Sequence, residues 1–451
     1  MPQRTLKNIS NGNFSDRDVS NLAANLGVDQ VTLSKRVDAL YNHFSTLFPP
    51  NSSIAVAVSG GADSMALCLL LHDWSKIYPQ KIMALVVDHG LRKETRKEIQ
   101  KIVKWLSTFE VSYEVLYWKD KKPSTGIQSA ARSARYGLML QWCHSNNFKT
   151  LVTGHHLEDQ VETFLLRVEG GSGLDGLSSM SSISDRAGIS LVRPLLGVPK
   201  NFLREYLKSK RQTWIEDPSN QSLAFRRTAI RGILTNLKER GISASRINAV
   251  INNLDLIRCH LSSVTQVFFE RAVRILPEAF CIVDLNALKS LPKPIMVRVL
   301  IKIILEFNNK IYPPRRRSIK HLIENIRSLK IRNFTLGGCY FVFRGPNLFV
   351  CRDPRSISTQ KVFSGDKFIW DSAFNIVISG PQRENGKLSA LGEKGWIEIV
   401  QKCPELKNIK IPHPVVVTLP TLFDEFGVIE VPGLRYHCGC PEKLSFSIER
   451  C

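Results

Sequence analysis

The chain has 451 residues, 43% apolar and 23% charged, with a formal net charge of +22. That length predicts two to four domains rather than one core, and the composition excludes a disordered or fibrous chain. A fold does not need the excess of cations, so a polyanionic partner is expected, nucleic acid first, with a generically basic surface as the alternative. The charge is spread along the chain, which fits a broad RNA-facing surface better than a basic tail. The 10 cysteines are scattered and form no Cys-x-x-Cys pair, so a zinc or redox site has little support. Cys438-Gly-Cys440 is too tightly spaced for the usual zinc knuckle and reads as a loop with weak redox or metal potential. The opening MPQRTLKNISNGNFSD lacks the apolar core of a signal peptide, and no apolar stretch reaches the roughly 18–20 residues of a membrane span. A reducing, cytoplasmic setting is expected.

In chain order, residues 1–50 read as a helical extension closed by Pro49-Pro50. IAVAV at 54–58 reads as a strand and 63–74 as a helix. Strands at 82–88, 113–118 and 150–154 alternate with helices near 93–107, 126–145 and 157–168. Repeated strand–helix units with uninterrupted apolar strands predict an α/β fold, a parallel doubly wound sheet covered on both faces. Helical spacing continues at 199–210, 224–240, 243–272 and 296–308, predicting a mostly helical middle domain. FTLGGCYFVF and NLFVCRD, within 334–353, read as a hairpin, and short strands and turns follow from Trp370. The expected domains are 1–50, 51–235, 236–335 and a mixed or β-rich 336–451.

The chemistry begins at Ser59-Gly60-Gly61-Ala62-Asp63-Ser64, between the first strand and its helix. In a doubly wound sheet, ligands bind beyond the carboxyl ends of the strands. Glycines admit a phosphate close to the backbone, and the helix N-terminus supplies N–H donors and partial positive charge. The Ser59 and Ser64 hydroxyls add donors. No Walker lysine is present. Asp63 beside phosphates would repel them without a cation, so it predicts bridging Mg²⁺. The alternative is a capping Asp after a glycine turn.

Ser-Gly-Gly-x-Asp-Ser resembles the signature of the PP-loop ATP pyrophosphatases. VDHGLR (87–92), SAARSARYGLM (129–139), TGHHLEDQVET (153–163), GGSGLDGLSSM (170–180), RPLL (193–196) and WIEDPSNQSLAFRRTAIR (214–231) narrow the likeness. In that order and spacing they are similar to the tRNA(Ile)-lysidine synthetases, strongly over 54–235. The likeness is looser through LGGCYFVFRG (336–345) and WDSAF (370–374). The resemblance implies ATP-dependent addition of free L-lysine to the wobble cytidine of a CAU-anticodon isoleucine tRNA, through an adenylated cytidine.

It also implies roles. Ser59 through Ser64, with Asp88, would bind ATP, and Asp63 would hold Mg²⁺. Arg135 would be the catalytic or phosphate-contacting arginine, with Arg132 three residues away on the same helical face. Asp159 would be catalytic, and Asp159 and Glu162 would bind lysine or Mg²⁺; acids favoured by a helix dipole are the alternative. His156 is a candidate proton acceptor or a hydrogen-bonded structural histidine. Asp88 and His89 would face the nucleotide or base, or form a capped turn. Trp214, Glu216, Asp217, Asn220, Arg227 and Arg231 form a distal block whose two arginines, four apart, would face RNA phosphates, as would Arg315-Arg316-Arg317. Solvated helix faces are the alternative for both arginine sets. Three departures from the family pattern stand out: Glu158 where Asp is usual, Gly170 for a basic residue, and Thr228-Ala229 for a more polar pair. A thiolating relative and a non-catalytic tRNA-binding protein are the competing readings. Cys68 and Cys143 look like core, and Asp63, Arg135 and Asp159 are intact.

Overall fold

The computed structural model describes residues 30–90, 94–120, 123, 125–216, 224–276, 279–308, 313–328, 332–370, 374–380, 385–439 and 444–450. They form two compact units, divided between Arg258 and Cys259.

The first unit opens with helix α1 (Gln30–Leu47). The helical preface expected over 1–50 is described only from residue 30 onward. Leu40, Tyr41, Phe44 and Phe48 recur at helical spacing and are buried, and Phe44 meets Trp74 edge-on at 5.8 Å. Then come β1 (Ser53–Val58), α2 (Ala62–Ile77), β2 (Lys81–Asp88), α3 (Glu94–Thr108), β3 (Tyr113–Tyr117), α4 (Ile127–Ser145), β4 (Thr150–Val152), α5 (Leu157–Glu169), α6 (Leu174–Leu177), β5 (Ile183–Arg186), β6 (Ile189–Val192) and α7 (Lys200–Ser209). Helices α8 (Ala224–Glu239) and α9 (Ala244–Ala272) follow, and the division between the units falls within α9.

The sheet order is β3-β2-β1-β4-β6-β5, parallel except for the edge strand β5. Both faces are apolar because each strand sends alternate side chains into different layers. Ile54, Val56, Ala84, Val86, Val152 and Val192 face the layer of α1, α2, α3 and α7. Ala55, Leu85, Leu151 and Leu191 face α4 through Met139 and Cys143. Strands β1 to β3 extend the sheet in one direction and β4 to β6 in the other. The crevice where ligands bind in such sheets therefore opens between the ends of β1 and β4.

The β5–β6 hairpin is not legible in the sequence. Its strands have four residues each, and Ile183–Arg186 is mostly polar. Its turn is set by Ala187 and Gly188, with φ of 53° and 77°, the paired positive values that suit a two-residue hairpin.

The second unit contains β7 (Val273–Leu276), β8 (Phe280–Asp284), α10 (Leu285–Ser290), α11 (Lys293–Asn308), α12 (Arg316–Arg327), β9 (Phe334–Leu336), β10 (Cys339–Arg344) and β11 (Asn347–Arg352). The expected hairpin is β10–β11, with Arg344 opposite Asn347. Its sheet runs β7-β8-β11-β10-β9, so the stretch expected to be mostly helical also contributes two strands. The expected boundary at 335/336 falls inside this sheet, because β8 pairs with β11. Helix α12 buries Ile319, Leu322, Ile323 and Ile326, one stripe at helical spacing. The remainder is the expected mixed, β-rich region: a five-stranded and a three-stranded antiparallel sheet with a helix at Gly392–Lys402. Among the described residues no helix is long and apolar enough to cross a membrane.

Candidate active site

Strand β1 ends at Val58, and Ser59 to Gly61 turn the chain into α2. Gly60 has φ +80°, and a Cβ there would lie 2.7 Å from Ile102 and 2.9 Å from Ile215. Both conformation and space therefore require glycine. The Ser59 N–H donates to Ser64 Oγ at 3.1 Å, and Ser64 Oγ donates to the Gly61 carbonyl at 3.1 Å. Ser64 thus shapes the loop. No side chain caps the first turn of α2, which keeps its N–H groups available to an anion. Gly154, just past β4, packs against this turn; a Cβ there would meet Asp63 O at 2.9 Å and Ser64 Cα at 3.1 Å.

That contact sets Asp63 beside the start of α5. Asp63 Oδ2 is 3.5 Å from His156 Nε2 and 3.8 Å from Lys200 Nζ. Asp159 Oδ2 is also 3.5 Å from His156 Nε2, and accepts from the His156 backbone N–H at 3.1 Å. On the other ring nitrogen, His156 Nδ1 donates to Glu158 Oε2 at 3.0 Å. One imidazole, 3% exposed, therefore joins three carboxylates. Burial opposes its charge, but Asp63, Glu158 and Asp159 outweigh burial and raise its pKa to about 9. Burial likewise opposes ionisation of Asp63 and Glu158, and their bonds to His156 override it, holding both carboxyls below the usual range. Asp63 Oδ1 is buried and has no hydrogen-bond partner. Glu162, just over one turn along α5 from Glu158, is buried too. Gln160 exchanges two hydrogen bonds with the Met180 backbone, 2.8 and 2.9 Å, pinning the loop before β5.

A second cluster has the opposite sign. Arg132 and Arg135 on α4 lie 5.5 and 5.9 Å from the Tyr136 ring. Arg193, just after β6, is 9% exposed and donates to Ser181 O at 2.8 Å and Ser184 Oγ at 3.2 Å. Burial, then the charges of Arg193, Arg132 and Arg135, depress the pKa of His155 to about 3. The imidazole stays neutral, and its Nδ1 lies 3.0 Å from Thr153 Oγ1.

The remaining candidates are dispersed. Asp88 Oδ1 accepts from the Gly90 N–H at 2.8 Å, a capped turn at the end of β2, and His89 meets Trp118 edge-on at 6.5 Å. Ile215 N–H donates to Gly60 O at 2.9 Å, so the Trp214–Glu216 stretch folds back on the nucleotide loop. Asp217 and Asn220 lie outside the described residues. Arg227 and Arg231 fall on α8, and their side chains, like those of Thr228 and Ala229, are also outside them. Arg315, Arg316 and Arg317 stand exposed at the start of α12 in the second unit.

Residues 30–238 match the PP-loop domain family. The tRNA(Ile)-lysidine synthase of Wolbachia pipientis wMel is 34% identical over 393 residues, 86% of this chain and 90% of that one. This chain belongs to the tRNA(Ile)-lysidine synthase family. The family's member in Ruegeria pomeroyi is 31% identical over 87% of this chain and 92% of its own. The one in Orientia tsutsugamushi is 27% identical over 90% and 95%.

Two of this family member's departures have a visible setting. Glu158 spans two elements, since its Oε2 also accepts from the backbone N–H of Lys200 at 3.0 Å, at the start of α7. Gly170 ends α5 through a bond from its N–H to Leu166 O at 3.1 Å, and a Cβ would fit there without clash. Sequence reasoning missed Lys200 and Arg204. These two are four apart on α7, and both bring positive charge to Asp63. It also quoted Arg193 without giving it a role. The signal available was RPLL followed by Pro199 and a helix start, which fixes where α7 begins but not what it faces.

Proposed function

We propose that this chain uses ATP to attach free L-lysine to carbon 2 of the wobble cytidine in an isoleucine tRNA with a CAU anticodon, releasing AMP and pyrophosphate. The observation that carries this reading is the meeting of Asp63, from the nucleotide loop, and Asp159, from the first turn of α5, on one histidine nitrogen at 3.5 Å each. A reaction that joins nucleotide chemistry to an ammonium-bearing substrate needs an anion-binding helix start and carboxylates side by side. Cytosine O2 attacks the α-phosphorus of ATP and pyrophosphate leaves. The lysine ε-amine, as its free base, then attacks carbon 2. The carbon–oxygen bond breaks, AMP departs with the oxygen, and the new nitrogen loses a proton.

In this reading the loop from Ser59 to Ser64 holds the phosphates, and Arg135 and Arg132 neutralise the charge that develops on them. Asp159 and Glu162 hold the lysine. His156 keeps its proton at neutral pH and acts as a counter-ion among the carboxylates rather than as a proton acceptor. The unpartnered Asp63 Oδ1 is the oxygen that would hold Mg²⁺ beside the nucleotide loop. Such an ion, when bound, supplies charge neutralisation for the departing pyrophosphate. The second unit serves tRNA contact. Arg315–Arg317 sit at a helix N-terminus, where cations oppose the dipole, and an RNA phosphate relieves that conflict. Thiolation has less support. Cys68 and Cys143 are buried, and burial pushes their thiols up to about 12 and about 11. Cys68, Cys143, Cys351, Cys403 and Cys438 are thiols rather than disulfides, which suits a reducing cytoplasmic setting.

The test is transfer of radiolabelled lysine to an unmodified CAU isoleucine tRNA transcript with ATP and Mg²⁺, using methionine tRNA as control. ATP-dependent label on the isoleucine tRNA alone is expected. AMP release without label would overturn the assigned nucleophile.

A further inference from the structure

We propose that Arg193 completes, with Arg132 and Arg135, a phosphate-binding subsite at the β4–β6 end of the crevice, opposite the nucleotide loop. The idea rests on the ATP- and tRNA-using reading above but concerns a residue to which that reading gives no task.

The fold brings the three guanidiniums to one place. β4 and β6 are adjacent and parallel, with Val152 opposite Val192, and the Thr153 N–H donates to Val192 O at 3.0 Å. Thr153 and Arg193, each just past the end of its strand, are therefore side by side, and His155 follows two residues after Thr153. Helix α4 packs over both strands and carries Arg132 and Arg135. All three arginines lie close enough to His155 to act on its charge, and Arg132 and Arg186 act on Arg193.

Within this cluster Arg132 is exposed and Arg135 half-buried, so the cost falls on Arg193. Arg193 is 91% buried, yet its visible partners are a carbonyl and a hydroxyl, and its buried Nε has none. Among the described residues, none of the three guanidiniums is ion-paired with a carboxylate. A buried cation normally has a counter-charge. The acids of the site are engaged on the other side of β4 by His156 and Lys200. An anion brought by substrate would supply that counter-charge. A planar guanidinium with free donors recognises phosphate oxygens well. That phosphate belongs either to the nucleotide's leaving pyrophosphate or to the tRNA backbone beside the modified base.

The competing role for Arg193 is purely structural, a pin between the Ser181 loop and the β5–β6 hairpin. Full-length Arg193→Met separates the two. Binding of inorganic pyrophosphate is measured by calorimetry, and binding of unmodified CAU tRNA is measured across a salt series. If the nucleotide's phosphates use the subsite, the pyrophosphate Kd rises about tenfold or more, as for loss of a charge-assisted pair. If the tRNA backbone uses it, the slope of log Kd against log salt falls by about one phosphate contact. Millimolar guanidinium should partly restore the affected binding. A variant that melts earlier but binds both probes as the parent does would overturn the proposal. Should Arg193→Met not fold, Ser184→Asp puts a carboxylate beside the guanidinium without removing it. The same losses are expected there, and unchanged binding of both probes would again refute the subsite. Lysine transfer by the unaltered protein is the separate control. Its failure would overturn the functional reading and leave the anion-binding result standing.

Discussion

His156 provides the strongest quantitative test of the site. It is 3% exposed and bonded to Asp63 and Glu158, with Asp159 close by. Its pKa rises from 6.5 to about 9 on folding. A base whose pKa rises on folding contributes stability that is complete below the unfolded value and vanishes as pH climbs through the folded one. The full contribution is about 3 kcal/mol, of which about 2 kcal/mol should be lost between about pH 7.5 and about pH 9.5. The other perturbed histidines, His43, His72 and His155, are all held below 6.5, so their titration lies beneath this window. His156→Gln keeps a donor but never carries charge. Urea unfolding of both proteins in metal-free buffer should show the parent more stable at the lower pH. The gap between the two should close by about 2 kcal/mol at the higher one. A gap that does not change with pH would refute the charged-histidine account.

Asp63→Ala should abolish AMP formation while tRNA binding, followed by filter retention, is kept; unchanged turnover would remove Asp63 from the chemistry. Asp159→Ala should raise the KM for lysine about tenfold or more and leave that for ATP nearly unmoved, since a charged hydrogen bond is lost on one substrate only. Equal effects on both would argue for a metal role. Gly154→Ala forces a methyl against the Asp63 carbonyl at 2.9 Å and should cost about 1–3 kcal/mol in urea unfolding, together with loss of ATP turnover. Parental stability would show that the approach of β4 to α2 is slack.

The doubly wound half of the fold was readable because its signals are local. Residues 54–58 form one apolar run, Gly60 and Gly61 interrupt it, and the helix that follows is apolar on nearly every side. The β7–β8 pair was not, because Phe280-Cys-Ile-Val is a short apolar run that also suits a helix. Its strand character comes from pairing with Leu348–Cys351, almost 70 residues onward. Asp63, Arg135 and Asp159 were visible through their motifs. Lys200, Arg204 and the setting of Arg193 were not, since each depends on which strand lies beside which. The motif names the loop, and only the register of β4 against β6 supplies its neighbours.

His155 and His156 carry that point furthest. They are consecutive, of one residue type, and follow the same strand, so nothing in their local sequence tells them apart. Both lie in the short link between β4 and α5, and their rings face different surroundings. His155 lies within reach of Arg132, Arg135 and Arg193 and stays neutral down to about pH 3. His156 is enclosed by Asp63, Glu158 and Asp159 and keeps its proton up to about pH 9. The end of β4 is thus the border between a basic half suited to phosphates and an acidic half suited to an ammonium or a metal ion. Both kinds of charge must be handled in one turnover of a lysine-adding, ATP-using enzyme. Keeping them on opposite sides of one strand end stops the arginines from pairing with the carboxylates, so the guanidiniums keep donors for phosphates while His156 and Lys200 neutralise the acids.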